Sequence, residues 1–451
     1  MSVKVAGSAF TNPKCTGRLK MAAAAIALSV ASLPAAAQTE IELWLGGEPG
    51  TVNVFTELAD AYMAENPDVT ITSTFIGSDL FNPSLVPALS SGEGPDIFQF
   101  GTGPGQPAAI IGSGLVLDLT PYYFDLGWDQ IIPETVVNTT STNGKLWAVG
   151  DAVETTAMLY NKDIFAEQGL EVPTDWASMV AAVETLKEAG FDTPIGLGGA
   201  DKWPISHWQS MLFGRFAGPE GVEEVMFGDG AWTDEPFVAS MQALQDMAKD
   251  GYFGPNPIAT GYPEVMDAFW RGEIPMTFTG PWVIDGAIEN LGDEISKFSV
   301  FQVPPLADGQ SIYPTEDIGS GWYVSASTEN ADVAADVLNF YFFRPESRIM
   351  LLESAGNVPV GPVDDLLDQA DIPPLAAEMR ALADRDRANG TIHAFLDTVT
   401  PGNLTNVAYD GLQAILVDRM SPEEFTAALQ DAWEQAKAED AILKPGGVAK
   451  P

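Results

Sequence analysis

A strand–helix–strand pattern begins at Ile41-Glu-Leu-Trp-Leu45, where apolar and polar residues alternate before a glycine pair. Apolar residues then recur at helical spacing over 54–66, and alternation returns over 69–76. A short helix over 82–91 and a strand at Asp96-Ile-Phe-Gln-Phe100 complete the pattern. Strands that alternate with helices predict right-handed βαβ units, an α/β fold and a mainly parallel sheet. Because ligands bind beyond the carboxyl ends of such strands, the loops 46–50 and 101–105 are candidate binding loops.

The rest of the chain predicts further strands and then a mostly helical remainder. Strands are expected at 144–150, 156–160, 195–198, 274–279, 298–304 and 321–326, with 151–155 as a loop between the first two. Helices are expected at 177–189, 205–216, 237–250, 262–271, 331–343, 345–355, 374–389, 404–417 and 422–439. At about 150 residues per domain, the length of 451 residues predicts two or three domains.

The first 37 residues have the composition of an export signal. Basic residues precede an apolar run over 21–33, and the segment ends in Ala35-Ala36-Ala37, a small-residue cleavage site. We expect cleavage near Ala37. The apolar run is too short to span about 30 Å of hydrocarbon, so it is not a membrane anchor. The expected location is therefore the periplasm of a Gram-negative bacterium, as a free monomer.

Charge and cysteine content exclude several classes of function. The chain has 63 acidic and 21 basic residues, for a net charge of −42. Nucleic acid and anionic membranes both need a basic surface, so neither is an expected partner. The single cysteine, Cys15, lies inside the signal, so the mature chain has no cysteine nucleophile and no cysteine-based zinc site.

No motif for a cofactor, a metal or catalysis stands out. The loop 101–106 is not G-x-G-x-x-G, because its last position is Gln106. The two histidines, His207 and His393, lie in no zinc-ligand pattern, and no G-x-S-x-G is present. We therefore expect no cofactor, no bound metal and no catalytic residues.

Tryptophans and carboxylates gather at the predicted strand ends and their loops. A sugar ring has an apolar C–H face and a rim of hydroxyls, which suit an aromatic platform beside carboxylate acceptors. No arginine lies in these loops, and an acidic ligand usually meets an arginine, so a neutral ligand is favoured. A secreted glycosidase or lyase would use the same residue types, as would a receptor for a polyol or a glycosylated osmolyte. The candidate side chains are Glu48, Asp151, Glu154, Asp201, Glu316, Trp203, Trp208, Trp282 and Trp322.

Two neighbouring runs resemble a known family signature. Gly144-Lys-Leu-Trp-Ala-Val-Gly150 and Leu159-Tyr-Asn-Lys-Asp-Ile-Phe165 are similar to family 1 extracellular solute-binding proteins. These are the sugar receptors of ATP-driven importers, related to maltodextrin-binding protein. Further matches, in family order, are Gly94-Pro-Asp-Ile-Phe98, Pro173-Thr-Asp-Trp176, Ile274-Pro-Met-Thr-Phe-Thr-Gly-Pro-Trp282, Gly319-Ser-Gly-Trp322 and Gly356-Asn-Val-Pro359.

The resemblance implies a type II periplasmic binding protein-like fold with a ligand cleft between two lobes. Lobe one would comprise 38–149 plus 320–365, and lobe two 150–319 plus 366–451. The family often has proline where this chain has Gly150, just before the chain first crosses between the lobes. The resemblance therefore implies a hinge that is looser here than is usual in the family. A neutral saccharide or polyol would close the lobes, and the closed form would dock on the permease subunits of an ABC transporter. By position, the family's ligand contacts fall on Glu48, Thr102, Asp151, Glu154, Trp282 and Trp322, with Asp201, Trp203, Trp208 and Glu316 as weaker matches.

Overall fold

The computed structural model describes residues 38–46, 49–103, 105–307, 309–354, 358–391, 395–439, 441–442 and 446–449. The predicted signal at 1–37 lies outside these residues, as do Glu48 and His393. None of the helices formed by the described residues is long and apolar enough to cross a membrane.

The strands of the described residues form four sheets. They are β1 (Thr39–Gly46), β2 (Val69–Ile76), β3 (Ile97–Phe100), β4 (Ser141–Thr142), β5 (Lys145–Leu146), β6 (Val149–Gly150), β7 (Ala152–Thr155), β8 (Ala157–Asn161), β9 (Ile195–Gly196), β10 (Met276–Thr279), β11 (Phe298–Phe301), β12 (Glu316–Ile318), β13 (Gly321–Val324) and β14 (Val358–Pro359).

The α-helices of the described residues cover most of the remaining chain. They are α1 (Pro49–Glu65), α2 (Ser78–Ser91), α3 (Ala108–Gly112), α4 (Thr120–Asp125), α5 (Glu134–Thr140), α6 (Lys162–Glu167), α7 (Trp176–Glu188), α8 (Trp203–Phe227), α9 (Glu235–Lys249), α10 (Tyr262–Trp270), α11 (Ile284–Leu291), α12 (Ala331–Phe343), α13 (Pro345–Ser354), α14 (Asp364–Leu367), α15 (Pro374–Asp386), α16 (Leu396–Val399), α17 (Gly402–Leu416) and α18 (Pro422–Ala438). Short 3-10 helices cover Trp128–Gln130, Pro281–Val283, Gly292–Lys297 and Arg387–Asn389.

The first lobe is built on a five-stranded sheet in the order β2-β1-β3-β13-β6. Strand β1 is parallel to both β2 and β3, as the βαβ pattern of 41–100 predicts. Strand β13 comes from much later in the chain and pairs antiparallel with β3 and β6. Apolar side chains of the sheet, including Leu43 and Ile97, pack with α1 and α12 in one hydrophobic core.

The second lobe is built on a four-stranded sheet in the order β11-β8-β10-β9. Strand β8 is antiparallel to both neighbours, and only β9 and β10 are parallel. Both lobes therefore have mixed sheets, which corrects the expectation of mainly parallel ones. Strands β8 and β13 pair with segments far along the chain, so local βαβ patterns could not show their direction.

A three-stranded sheet, β12-β7-β14, connects the lobes. Strand β7 runs from β6 of the first sheet to β8 of the second, and β12 leads back into β13. Residues 151–155 were expected to be a loop, and that expectation is wrong for Ala152–Thr155. The reason is that both partners of β7 are distant in sequence and both pair with it antiparallel.

Helix ends follow the sequence closely where side chains cap them. Asp175 precedes α7, and its carboxylate accepts a hydrogen bond from the Ser178 backbone N–H at 2.8 Å. The Ser178 hydroxyl accepts in return from the Asp175 backbone N–H, which completes a capping box. Helix α8 begins at Trp203, two residues earlier than expected, and this places Trp203 and His207 on successive turns of one helix.

Candidate functional site

Three aromatic residues of lobe two form a cluster at the ends of separate elements. Trp282 follows β10, Trp203 begins α8, and Tyr262 begins α10. The Trp203 ring centroid lies 4.4 Å from that of Tyr262 and 6.0 Å from that of Trp282. The Trp282 indole N–H donates to the Tyr262 hydroxyl at 2.9 Å, and that hydroxyl also contacts Thr279 Oγ1 at 2.6 Å. The indole orientation is thus fixed, while Trp203 and Trp282 both stay partly exposed.

His207 and Phe395 extend this cluster. The imidazole stacks on the Phe395 ring at 4.1 Å and meets the Trp282 ring edge-on at 5.7 Å. Burial lowers the pKa of His207 to about 3, so its imidazole is neutral near pH 7. The cluster, comprising Trp203, His207, Tyr262, Trp282 and Phe395, therefore presents aromatic surface without positive charge.

Three carboxylates lie on or beside the connecting sheet. Glu154 of β7 is directly opposite Asp317 of β12, and Asp151 immediately precedes β7. Asp151 accepts hydrogen bonds from the Ser320 backbone N–H at 2.8 Å and from the Trp322 indole at 3.4 Å. The Asp317 carboxylate accepts from the Phe395 backbone N–H at 3.1 Å. The Glu154 carboxylate has no hydrogen-bond donor among the described residues, so it is the acid most available to another molecule.

Burial makes these carboxylates weaker acids than usual. Desolvation raises the pKa of Asp151 to about 6 and that of Asp317 to about 6. The pKa of Glu154 is raised well above its usual range, mainly by desolvation and then by the charges of Asp151 and Asp317. Within the described part of the chain, none of the three forms an ion pair with a lysine or an arginine.

Phe395 joins the aromatic cluster to the carboxylates. Its ring stacks on His207, and its backbone N–H binds Asp317, which faces Glu154 across two strands. The arrangement therefore places aromatic rings and carboxylate acceptors in one region of the fold, and one of these acceptors, Glu154, has no hydrogen-bond donor among the described residues. Such a region can hold a molecule that has both C–H faces and hydroxyl donors. The described residues contain no group of three or more histidine, cysteine, aspartate or glutamate side chains placed to bind a metal ion.

Of the residues singled out from sequence, Trp203, Trp282, Asp151 and Glu154 belong to these two groups. Two other tryptophans lie in the cores instead. The Trp322 ring is completely buried and packs 4.4 Å from Phe55. Trp208 is 1% exposed and packs 4.9 Å from Phe278. Neither ring offers a free face in this structure.

Three further polar residues singled out from sequence have identifiable structural partners. Thr102 is buried and donates to the Ile318 carbonyl at 2.9 Å. Asp201 is exposed, and its carboxylate accepts from the Tyr262 backbone N–H at 2.6 Å, which orients the start of α10. Glu316 is buried and is bound by both Arg387 Nη2, at 2.5 Å, and Arg387 Nε. Glu48 lies outside the described residues.

The alternation of β12 explains why Glu316 is separate from the acids of the site. Neighbouring side chains of a strand point to opposite faces, so Asp317 faces Glu154 while Glu316 faces away. On that opposite face, Glu316 and Arg387 border a cavity of about 300 Å³ that is lined mainly by apolar residues, including Val136 and Val358. Sequence reasoning chose the acid one residue before the one that faces Glu154.

The glycine-rich loop 101–105 packs against lobe two. A Cβ added at Gly105 would lie 2.1 Å from the Thr400 carbonyl oxygen, and one at Gly103 would lie 2.6 Å from that of Thr398. The Gln106 side-chain amide also donates to the Asp397 carbonyl at 3.0 Å. This loop was expected to contact ligand, but the described contacts use its lack of side chains for close backbone packing between the lobes.

Tyr262, Asp317 and Phe395 were not singled out from sequence. Tyr262 follows a glycine at the start of a helix, which is a signal for a helix cap and not for a ligand contact. Phe395 follows three residues outside the described set and lies far from every predicted strand end. Only the tertiary contacts to His207 and Asp317 reveal its position between the two groups.

The chain is similar to bacterial extracellular solute-binding proteins along most of its length. The sequence profile of that family matches residues 48–344. The maltotriose-binding protein of Pyrococcus abyssi is 26% identical over 330 residues, which span 71% of this chain and 66% of that protein. The sn-glycerol-3-phosphate-binding periplasmic protein of Pectobacterium atrosepticum is 24% identical over 371 residues, 76% of this chain and 78% of the relative.

Solved structures share the fold. A chitin oligosaccharide binding protein superposes with a TM-score of 0.78 at 22% identity, covering 89% of this chain and 99% of the other. The two-lobed α/β fold expected from sequence is confirmed by this likeness and by the family match.

Proposed function

The chain belongs to the bacterial extracellular solute-binding protein family, and from this premise we propose that it is the sugar receptor of an ABC importer. It binds a neutral sugar, oligosaccharide or glycoside in the periplasm and delivers it to the membrane permease subunits. The mature monomer begins after a signal cleaved near Ala37. Relatives named for maltotriose and, among solved structures, for chitin oligosaccharides support this class of ligand.

The observation that carries the proposal is the hydrogen-bonded Trp282–Tyr262 pair beside Trp203. An aromatic face buries the C–H face of a sugar ring, which contributes about 25 cal/mol per Å² of apolar area. Glu154 and Asp151 then accept hydroxyl hydrogen bonds, worth about 1.5–3 kcal/mol each when the acceptor is charged. Among the described residues, no arginine or lysine forms an ion pair with Asp151 or Glu154, and these acids would repel an anionic ligand, so a neutral one is favoured.

The proposed mechanism is binding without bond-making. A ligand that contacts both lobes stabilises the closed conformation over the open one, because it interacts more strongly with the closed form. The crossings would be β7, β12 and the segment around β14, which together form the connecting sheet. Closure presents the surface that the permease recognises. The boundaries proposed for the lobes remain those given above, with one addition: Val448 packs on the core of lobe one, and the Ala449 N–H donates to the Gly144 carbonyl at 2.9 Å.

The competing function is a secreted carbohydrate-active enzyme. The observation that favours it is the raised pKa of Glu154 beside Asp151, because a general acid needs a carboxyl that stays protonated near neutral pH. A receptor for a polyol or a glycosylated osmolyte would work by the same mechanism and differ only in its ligand.

The test is a thermal-shift panel followed by chromatography. The panel contains maltotriose, raffinose, a chitin disaccharide, mannitol and glucosylglycerol, with sn-glycerol-3-phosphate as the anionic comparison. We expect a rise in Tm with a neutral member, since a ligand at 100 times its Kd stabilises by about 2.7 kcal/mol. Recovery of that ligand unchanged after incubation with stoichiometric protein supports a receptor. Products would identify an enzyme, and a response to the phosphate alone would contradict a neutral ligand.

A further inference from the structure

Two glycines lie directly against the side chains that the proposed function uses most. A Cβ added at Gly280 would lie 1.9 Å from Cζ3 of the Trp282 ring and 2.4 Å from Cε3 and Cη2. A Cβ added at Gly319 would lie 2.4 Å from both Cδ and Oε1 of Glu154. Carbon atoms in contact normally stay about 3.5–4.0 Å apart, so neither side chain could keep its position beside an alanine.

The requirement for glycine at position 280 is spatial and not conformational. Its φ of −113° and ψ of −174° are extended values that any residue adopts. Alanine would therefore fit the backbone but meet the six-membered ring of Trp282. Because the atoms it meets belong to the end of a side chain, we expect the ring to move and the strand to stay.

Moving that ring would break the geometry of the aromatic cluster. The Trp282 indole N–H donates to the Tyr262 hydroxyl, and the ring packs nearly perpendicular to those of Trp203 and His207. The Gly280 backbone lies directly against the six-membered ring of Trp282. The glycine thus limits where the ring can lie and at what angle it is held.

Gly319 has the same relation to the carboxylate. It lies between β12 and β13, and its backbone N–H donates to the Ala152 carbonyl at 3.0 Å, so it is tied to β7 two residues from Glu154. The carboxylate of Glu154 rests against this glycine and receives no hydrogen bond from any described residue. Its direction is thus set by packing alone.

We propose that Gly280 and Gly319 are positioning residues for ligand binding, each forming the backbone seat on which one ligand-contacting side chain rests. Gly280 seats the Trp282 ring, and Gly319 seats the Glu154 carboxylate. This rests on the proposed function, since the two side chains matter for binding only if the ligand contacts them. The seats determine the angle between the aromatic face and the acceptor, and hence which sugar ring orientations fit.

A double-mutant cycle tests the first seat. The variants are Gly280→Ala, Trp282→Ala and the combination, and the probe is whichever panel sugar the unmodified protein binds most tightly by calorimetry. We expect Gly280→Ala to raise Kd at least tenfold, but to change it less than twofold when Trp282→Ala is already present. Gly112→Ala is the matched control, because a Cβ there meets nothing within 4 Å. Unchanged affinity in Gly280→Ala, or an equal loss in both backgrounds, would overturn the proposal.

A second cycle with Gly319→Ala and Glu154→Ala follows the same logic for the carboxylate. If Gly280→Ala lowers Tm, the double variant must be as stable as Trp282→Ala alone, because the clash disappears with the ring. A further loss of Tm relative to Trp282→Ala would show a backbone effect and overturn the proposal. A ligand-free measurement separates this inference from the proposed function. The indole N–H resonance of Trp282, assigned with Trp282→Phe, should shift in Gly280→Ala and not in Gly112→Ala, whether or not any sugar binds.

Discussion

Glu154 and Asp317 lie directly opposite each other on antiparallel strands β7 and β12, so their side chains share one face of the connecting sheet. Two like charges in this position repel, and Asp151 adds a third carboxylate nearby. Asp317 and Asp151 are compensated by backbone N–H donors. The Glu154 carboxylate has no such donor among the described residues, so its negative charge costs more folding free energy than the charges of Asp151 and Asp317.

Removing the charge of Glu154 should therefore stabilise the protein at high pH. A carboxyl whose pKa is raised by folding binds more protons in the folded state than in the unfolded state. The free energy of unfolding consequently falls as pH rises from about 4 through the raised pKa values, about 6 for Asp151 and Asp317 and well above the usual range for Glu154. We expect Glu154→Gln to be more stable than the unmodified protein at pH 8 by on the order of 1–2 kcal/mol, and similar at pH 4.5.

Urea denaturation at pH 4.5 and pH 8 measures this difference. Glu188→Gln, an exposed substitution of the same chemistry on α7, is the control and should change stability equally little at both values. A Glu154→Gln variant that is less stable than the unmodified protein at pH 8 would contradict this, because it would mean that the folded protein stabilises the Glu154 carboxylate.

Trp322→Ala should lower the stability of the fold, whereas Trp282→Ala should weaken ligand binding. Trp322 has no exposed surface and packs against Phe55, so we expect its truncation to cost about 3–5 kcal/mol of folding free energy. Trp282 is partly exposed, so we expect the fold to remain and binding to weaken by about 1–3 kcal/mol. Chemical denaturation and calorimetry of both variants separate the two roles. If Trp322→Ala had normal stability but lost binding, Trp322 would be a ligand contact and not a core residue.

Arg387→Ala should destabilise the fold through Glu316. That carboxylate is 7% exposed and accepts two hydrogen bonds from Arg387, so the variant leaves a buried charge without its partner. The expected cost is about 3 kcal/mol at pH 7. Arg271→Ala is a matched control, since Arg271 makes the same type of paired contact with Glu273 on the surface. Equal effects of the two variants in urea denaturation would contradict a buried role for the Glu316 pair.

Gly105→Ala should disturb the packing between the lobes. The added Cβ would lie 2.1 Å from the Thr400 carbonyl oxygen, and a backbone atom cannot turn aside as a side chain can. We expect a drop in Tm of several degrees and weaker ligand binding, whereas Gly112→Ala changes neither. Differential scanning calorimetry with and without the bound sugar measures both effects. If Tm and affinity were both unaltered, the loop would be able to accommodate the added Cβ, which would contradict the close packing at Gly105.

Local signals in the sequence located most helices and the first parallel strands. The capping box at Asp175 and Ser178 marks α7 within one residue, because the cap depends on residues three apart. Strand β7 was missed, because its pairing with Glu316–Ile318 depends on chain distant in sequence. The same limit explains the choice of Glu316 over Asp317, since the register of β12 decides which acid faces Glu154.

The tryptophans show the corresponding limit for the site. Trp322 and Trp282 both lie within two residues of a glycine near predicted strand boundaries, so the sequence does not distinguish them. Trp322 lies inside β13 with helices α1 and α12 covering it, whereas Trp282 lies in the turn after β10 and rests on Gly280. Only the packing of elements from both ends of the chain distinguishes a core ring from a platform.

Small-angle X-ray scattering with and without a saturating sugar measures whether the ligand closes the protein. In the proposed mechanism, the ligand binds between the lobes and stabilises a closed form about the connecting sheet. We therefore expect a smaller radius of gyration in the presence of the panel sugar that binds most tightly. An unchanged scattering profile, at a concentration where calorimetry shows the site to be full, would contradict closure, because a ligand with equal affinity for both forms cannot shift their populations.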